Sequence, residues 1–332
     1  MVEGPASANQ ELGEFERISR YFAPLAAPGG LGLLDDAALI DCRAGYRLVM
    51  TADAIVAGVH FLAEDPPDLV AKKLLRVNLS DLAAMGARPL HYLLTTALPT
   101  SLGTGWVEAF ARGLGDDQRL FGATLLGGDS VSTPGPAALS LTAIGEVAAG
   151  AEIRRSGARP GDDVWVSGSI GDAYLGLAVL RGGYTQLSAE HRRALINRFQ
   201  IPEPRVALGP ALTGTAHAMT DVSDGLLADL GHICETSRLA AIVELAALPI
   251  SAAAREVVAI EPEVAQQLAT GGDDYELLFT AAPAAAEAVL GIGSRLAVPV
   301  TKIGRIETGQ GVRLVDADGS DLPVAAAGYR HF

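Results

Sequence analysis

Only two of the 332 residues are cysteine, and neither Cys42 nor Cys234 belongs to a CxxC pair or sits beside a histidine cluster. That spacing supports neither a disulfide framework nor a zinc site. Basic residues are outnumbered, 25 Lys and Arg against 39 Asp and Glu, for a formal net charge of −14. This balance disfavours a nucleic-acid partner, whose phosphates reward Lys and Arg, and equally disfavours docking on an anionic membrane surface. No uncharged apolar run approaches the roughly 20 residues of a membrane span. The opening "MVEGPASANQELGEF" lacks the basic and apolar regions of a secretory signal. A soluble protein in a reduced, cytoplasmic setting is expected. Aromatic residues are scarce, at 5%, so packing has to rely on small and aliphatic side chains.

The familiar nucleotide and hydrolase signatures are missing too. There is no GxxxxGK[ST] loop, "PGGLGLLDD" is not a GxGxxG opening a helix after a strand, and the HRD and DFG set of protein kinases is absent. No GxSxG occurs, and the six histidines are scattered, so nucleophilic hydrolysis gains no support.

What is present is a chain longer than one hydrophobic core usually organises, which points to two domains. Nearly half the residues are apolar, enough for a sizeable core. Segments of both periodicities alternate. "YRLVMTAD", "HYLLTTALP", "ATLLGGDS" and "ALSLTAIGEV" read as strands, while "PPDLVAKKLLRVNLSDLAAMGA" and "GWVEAFARGLGDDQRLFG" read as helices. "GEFERISRYFAPL" also carries apolar residues at helical spacing. In the second half, "HAMTDVSDGLLADLGHICETS" is a strand-to-helix junction, and "YELLFTA", "VTKIGRI" and "GVRLVDADG" read as strands. The mixture predicts an α/β (α+β) fold with mixed sheets and flanking helices. A turn-rich stretch, "RRSGARPGDD", puts the boundary near residue 150, giving domains over 13–150 and 151–332.

The acids are where the sequence becomes specific. "TDVSDGLLADLGH" places Asp221 and Asp224 three apart at a strand end, with Asp229 in the following helix. Part of this has an ordinary explanation: Ser223 or Asp224 caps the helix by accepting backbone N–H bonds, worth about 1 kcal/mol. Asp229 lies off the stripe of Leu226, Leu227, Leu230 and Ile233, so a solvated position is expected for it. Capping leaves Asp221 without a role, and the same kind of junction recurs: Asp35 and Asp36 in "LLDDAA", Asp53 in "MTAD", Asp81 in "NLSDLAAMG", Asp129 in "LLGGD", and Asp273 and Asp274 in "GGDDYEL". If several of these converge, two carboxylates about 4 Å apart repel by about 4 kcal/mol at an effective dielectric near 20. Such a cluster needs protons or cations, and oxygen-only ligands point to a hard cation, Mg²⁺ first.

Taken in order, "GEFERISRYF", "DDAA", "TADAIVAGVHF", "VNLSDLAAMGA", "GGD", "RSGARPGD", "DVSDGLLADLGHI" and "GGDDYELLF" resemble the thiamine-monophosphate kinase family. That family is part of a superfamily with aminoimidazole ribonucleotide synthetase. The resemblance runs from about Gly13 to the terminal "GYRHF". It implies a two-domain aminoimidazole ribonucleotide synthetase-like fold, with an N-terminal domain that binds ATP and Mg²⁺ and forms a homodimer. It further implies transfer of the γ-phosphoryl of ATP to thiamine monophosphate. By the same resemblance, Asp36, Thr51, Ala52, Asp53, Asp81, Asp129, Asp221 and Asp224 are the Mg²⁺ ligands, with Asp129 and Asp221 catalytic. Gly128, Asp129, Arg155 and Ser223 are ATP contacts, and His60 and Asp273 contact thiamine monophosphate. For Arg155 the residues alone also allow a solvated turn beside Arg154 and Arg159.

The chain departs from the family pattern at four positions. Leu34 stands where a Gly precedes the acid pair, and Ala52, where Thr is common, has only its carbonyl to offer a metal. Asp273 replaces a Glu, and Ala326 replaces an aromatic residue before "GYRHF". Another ATP-using enzyme of the superfamily, of the purine-pathway synthetase type, and a non-catalytic nucleotide- or metal-binding relative are the alternatives.

Overall fold

The computed structural model describes residues 13–35, 37–324 and 328. Two compact units divide the chain. One takes in the described residues of Met1–Asp41 with Ala54–Leu74 and His91–Thr142, the other Cys42–Asp53, Leu75–Leu90 and the described residues of Ala143–Phe332.

Four strands of the N-terminal half, β1 (Tyr46–Val56), β2 (Arg88–Pro99), β3 (Thr124–Thr133) and β4 (Ala138–Ala148), make a sheet in the order β1-β4-β2-β3. β2 and β3 run parallel, with a register irregularity at Tyr92/Leu93 that lets Thr95 face Asp129. Two long helices belong to this half, α1 (Pro67–Ala84) and α2 (Thr104–Phe121). Proline at the first position and Asp68 in the first turn suit the start of α1, where N–H groups have no intrahelical partner. α2 buries the stripe Val107, Phe110, Ala111 and Leu114, and ends on Gly122 in the left-handed region. The helix expected over "GEFERISRYFAPL" is broken: an α-turn at Glu14–Arg17 becomes a π-turn at Ile18–Phe22 and then a 3₁₀ turn at Ala23–Leu25. Pro24 has no N–H to continue an α-helical ladder, which suits the 3₁₀ turn at Ala23–Leu25.

The second half is built on a six-stranded mixed sheet from β5 (Asp163–Ser167), β6 (Ala218–Asp221), β7 (Ala240–Glu244), β8 (Leu277–Ala281), β9 (Val300–Glu307) and β10 (Gly311–Val315). Their order is β10-β7-β9-β5-β8-β6, with only the β10/β7 pair parallel. Its main helices are α3 (Asp172–Leu180), α4 (Ala189–Gln200), α5 (Leu226–Ser237), α6 (Ala252–Ile260) and α7 (Ala286–Leu296).

The two-residue period of the strands sorts their side chains onto opposite faces. Val164, Val166 and Leu278 pack with Leu226, Leu227, Leu230 and Ile233 of α5. Trp165, Leu277 and Phe279 pack with Val289 and Ile292 of α7. Both faces are covered, which is why β5 and β8 read as continuous apolar runs. A third cluster joins α3, α4 and α6 through Leu175, Leu195 and Val257.

Candidate active site

β6 and β8 are antiparallel neighbours with Asp221 opposite Leu277, so the C-terminal end of β6 and the approach to β8 emerge at the same place. Backbone pairing continues past the strand ends: Val222 N–H donates to Glu276 O at 2.9 Å, Tyr275 N–H to Val222 O at 2.8 Å and Asp273 N–H to Ser223 O at 2.8 Å. The Asp221–Gly225 turn and the Gly271–Glu276 loop are thereby one unit of backbone. Two of the sequence-derived motifs, "DVSDG" and "GGDDYE", meet here.

The remaining acids of this cluster come from β1 and α1. Thr51 and Asp53 lie two apart on one face of β1, with the Ala52 methyl exposed on the other. On α1, Asp81 Oδ2 accepts from the Thr51 hydroxyl at 2.6 Å, and Asn78 Oδ1 accepts from the Asp53 N–H at 3.0 Å. One residue before Asp81, the Ser80 hydroxyl donates to Asp221 Oδ2 at 2.7 Å. Asn78 and Ser80 are fully buried, and these bonds are what make their burial tolerable.

The acids act on one another here. Burial first, then the charges of Asp81 and Asp224, push the Asp53 carboxyl up to about 6. Burial also raises Asp81, against the Thr51 hydrogen bond and the charge of Arg155. Asp221 is held well above the usual carboxylate range by burial and by Asp81, with Asp229 and Asp53 adding to it and the Ser80 bond opposing. Arg155 is exposed at the rim, where its Nε donates to the Thr220 hydroxyl at 3.1 Å and its carbonyl accepts from the Ser237 hydroxyl. It is therefore tied to the residue before Asp221 and is more than a solvated turn.

Two expectations for the turn need correction. Neither Ser223 nor Asp224 caps α5: the N-cap residue is Gly225, and no side chain caps it. Asp229 is not solvated; it is 1% exposed, and its Oδ2 accepts from the N–H groups of Ser223, Asp224 and Gly225 at 3.0, 3.1 and 3.2 Å. The free N–H groups ahead of a helix need an acceptor, and an acid in the first turn can reach back to supply it. Burial and the Asp224 charge push Asp229 up to about 7, against these three backbone bonds. Asp224, Asp229 and His232 bring one ligand atom each within 4.8 Å of one another. Near the terminal motif, Gly328 lies so close that a Cβ there would come within 2.7 Å of the Asp224 carbonyl oxygen.

The other sequence-derived residues belong to the first unit. His60 follows β1, and its Nδ1 accepts from Val56 N–H at 3.1 Å, which leaves the ring proton on Nε2 in the neutral form. Its carbonyl accepts from buried Lys73 at 2.9 Å. Asp129 is exposed on β3, where Oδ1 accepts from Ser130 N–H at 2.8 Å. Gly128 is required by the neighbouring strand, since a Cβ there would come within 1.7 Å of the Leu94 carbonyl oxygen. Asp36 and Ala326 lie outside the described residues.

Residues 34–147 match the family model of the AIR synthase related protein N-terminal domain, and residues 159–317 that of its C-terminal domain. The thiamine-monophosphate kinase of Caulobacter vibrioides is 44% identical over 96% of this chain and 90% of its own. The crystal structure of thiamine-monophosphate kinase from Stenotrophomonas maltophilia K279a is likewise 44% identical, with a TM-score of 0.80 over 87% of this chain and 91% of that one. AaThiL complexed with AMPPCP and TMP is 30% identical, with a TM-score of 0.77 over 97% of both chains. By both sequence and fold, the chain belongs to the thiamine-monophosphate kinase family.

Proposed function

We propose that the protein transfers the γ-phosphoryl group of ATP to the phosphate of thiamine monophosphate. A phosphate oxygen of the acceptor attacks the γ-phosphorus, the bond from that phosphorus to the β,γ-bridging oxygen breaks, and thiamine diphosphate and ADP leave. The observation that carries this reading is the gathering of Thr51, Asp53, Asp81, Asp221 and Asp224 from three separate stretches of chain, with Arg155 acting on Asp81. Supporting it are the 44% identity to a thiamine-monophosphate kinase over nearly the whole chain and the AMPPCP and TMP bound to a relative of the same fold.

The donor set fits Mg²⁺. It offers carboxylate and hydroxyl oxygens and no thiolate, and its acids already repel one another. Bound there, the ion would supply positive charge that offsets the carboxylates and the incoming phosphates. Asp53, Asp81, Asp221 and Asp224, with Thr51 and the Ala52 carbonyl, would hold it, and the resemblance adds Asp36 and Asp129. The acceptor is already an anionic phosphate near neutral pH, so no side chain has to remove a proton from it. The chain's task is then positioning and charge stabilisation. Arg155 and Ser223 contact ATP in this reading, as do Gly128 and Asp129. His60, with its Nε2 proton, and Asp273 contact thiamine monophosphate.

We further propose a homodimer of two-domain subunits, with 13–150 as the ATP- and Mg²⁺-binding, dimerising domain and 151–332 as the second domain. In support, β1 is an edge strand and carries Leu48 and Met50 exposed at 37% and 61%. Such an edge is a template for pairing with another chain.

The test is the formation of ADP and thiamine diphosphate from ATP and thiamine monophosphate by the purified protein, with Mg²⁺ and with EDTA. Equal amounts of both products, formed only with Mg²⁺, are expected. ADP without thiamine diphosphate, or neither product from folded protein, would overturn the reading.

A further inference from the structure

The Gly271–Glu276 loop is anchored by alternate residues. Asp274 and Glu276 are fully buried. Asp274 accepts from the N–H groups of Gly171 and Ala173 at 2.7 and 3.3 Å, where α3 begins. Glu276 is gripped by Arg205 through two bonds of 2.6 and 2.5 Å, by Arg198 at 2.9 Å and by the Ser167 hydroxyl at 2.5 Å. Arg198 also donates to the Asp274 carbonyl at 3.1 Å. Between and beside these anchors, Asp273 and Tyr275 sit at φ of 71° and 52°, a region that residues other than glycine rarely occupy. Such conformations persist where the surroundings over-determine them, and they gather at functional sites.

The residues held in this way, Asp273 and Tyr275, touch each other. The Tyr275 hydroxyl donates to Asp273 Oδ1 at 3.3 Å. The phenol also lies within the field of Asp53 and Asp221; burial and these three carboxylates hold it well above its ordinary pKa, so it stays a neutral donor. A neutral donor suits the place. It fixes the direction of a carboxylate without cancelling its charge, which an arginine or lysine would do. Thiamine carries a permanent positive charge on its thiazolium ring, so a carboxylate meant for it has to be oriented and left negative.

We propose that Tyr275 is a positioning residue for thiamine monophosphate, acting by fixing the Asp273 carboxylate toward the substrate. The inference rests on the reading of Asp273 as a substrate contact in the proposed function. It predicts an effect on one substrate and through one partner.

The experiment compares Tyr275→Phe, Asp273→Asn and the double variant with the wild-type full-length protein, varying ATP and thiamine monophosphate separately. Tyr275→Phe keeps the ring and removes the hydroxyl. It is expected to raise KM for thiamine monophosphate about 5- to 10-fold, the equivalent of one net hydrogen bond. KM for ATP and kcat should stay within about twofold, a split that loss of packing alone would not produce. In the Asp273→Asn background the same change should add less than about twofold. An unchanged KM for thiamine monophosphate, an equal shift for ATP, or the full effect in the Asp273→Asn background would overturn the inference. If kcat of the Phe variant is too low to measure, calorimetric binding of thiamine monophosphate to folded protein makes the same discrimination. Wild-type protein with no activity on thiamine monophosphate would instead remove the function it rests on.

Discussion

Asp221 ends β6 and Glu276 immediately precedes its neighbour β8, both buried, and the chain treats their charges in opposite ways. Glu276 is met by two guanidinium groups and a hydroxyl, with bidentate geometry to Arg205. Asp221 accepts from the Ser80 hydroxyl, and Asp81, Asp229 and Asp53, all of its own sign, push its carboxyl up further. A buried carboxylate is expensive, and the usual remedy is a partner within the chain. Where the remedy is present, the acid serves the fold. Where neighbouring acids instead raise one another, as at Asp53 and Asp221, added positive charge is favoured, and perturbed carboxylates of this kind gather at functional sites.

Substitution at these two residues separates the two kinds of acid most widely. Asp221→Asn keeps an acceptor for the Ser80 hydroxyl and removes one of the crowded charges. Turnover is expected to fall by at least about 10²–10³-fold, the scale for losing a group that stabilises developing charge. The melting temperature in EDTA should match or exceed that of the wild type. Glu276→Gln reverses the pattern, because it leaves two arginines facing a neutral amide. Breaking one side of a buried pair costs about 3–5 kcal/mol, a fall of roughly 5–15 °C in melting temperature. If thermal denaturation ranks the two variants the other way, the division between the acids fails.

A smaller effect follows from pH and metal together. Asp53 is raised to about 6 by burial and by Asp81 and Asp224, and Asp229 to about 7 by burial and Asp224. Between the ordinary carboxylate value near 4 and these raised values, the folded protein holds protons that the unfolded chain has released. Stability therefore falls as pH rises through that window. In EDTA the melting temperature should drop by about 3–6 °C between pH 5 and pH 7.5. Mg²⁺ should flatten the profile, since a cation then does what the proton did, with Arg155 already contributing on the Asp81 side. A flat profile in EDTA would mean that the acids are not crowded in solution.

Much of this was legible in the sequence where local patterning carries the information. The strands around Thr51 and Asp53, the helix with Asp81, and the strand-to-helix junction at Asp221 all follow from two- and 3.6-residue periods. The meeting of "DVSDG" with "GGDDYE" was not legible, because it depends on β6 pairing with β8 across 55 intervening residues, Val222 to Glu276. Asn78 and Ser80 escaped notice although a signal existed: polar residues inside an apolar helical run have to find partners. The N-terminal segment misled in the other direction, since its helical spacing says nothing about the winding, which passes from a π-turn to a 3₁₀ turn at Ala23–Leu25.

Asp229 was misread because distance from an apolar stripe was equated with solvent. It supplies the intermediate case, an acid answered by backbone dipoles instead of arginines. Removing that acceptor in Asp229→Ala should cost about 1–2 kcal/mol, as for the loss of a helix-capping side chain. Because the turn it holds bears both Asp221 and Asp224, kcat should fall as well, by about 10-fold, the lower end for groups that support metal ligands. Asp229→Asn retains an oxygen acceptor, and since the carboxyl is raised to about 7 the native charge is already partly given up near neutrality. It should recover most of the stability and most of kcat. If Asp229→Asn is instead as inactive as Asp221→Asn while keeping its melting temperature, the charge of Asp229 is itself used by the ligand. Asp229 then belongs with Asp53 and Asp221, and the backbone bonds are only how the turn is folded around it.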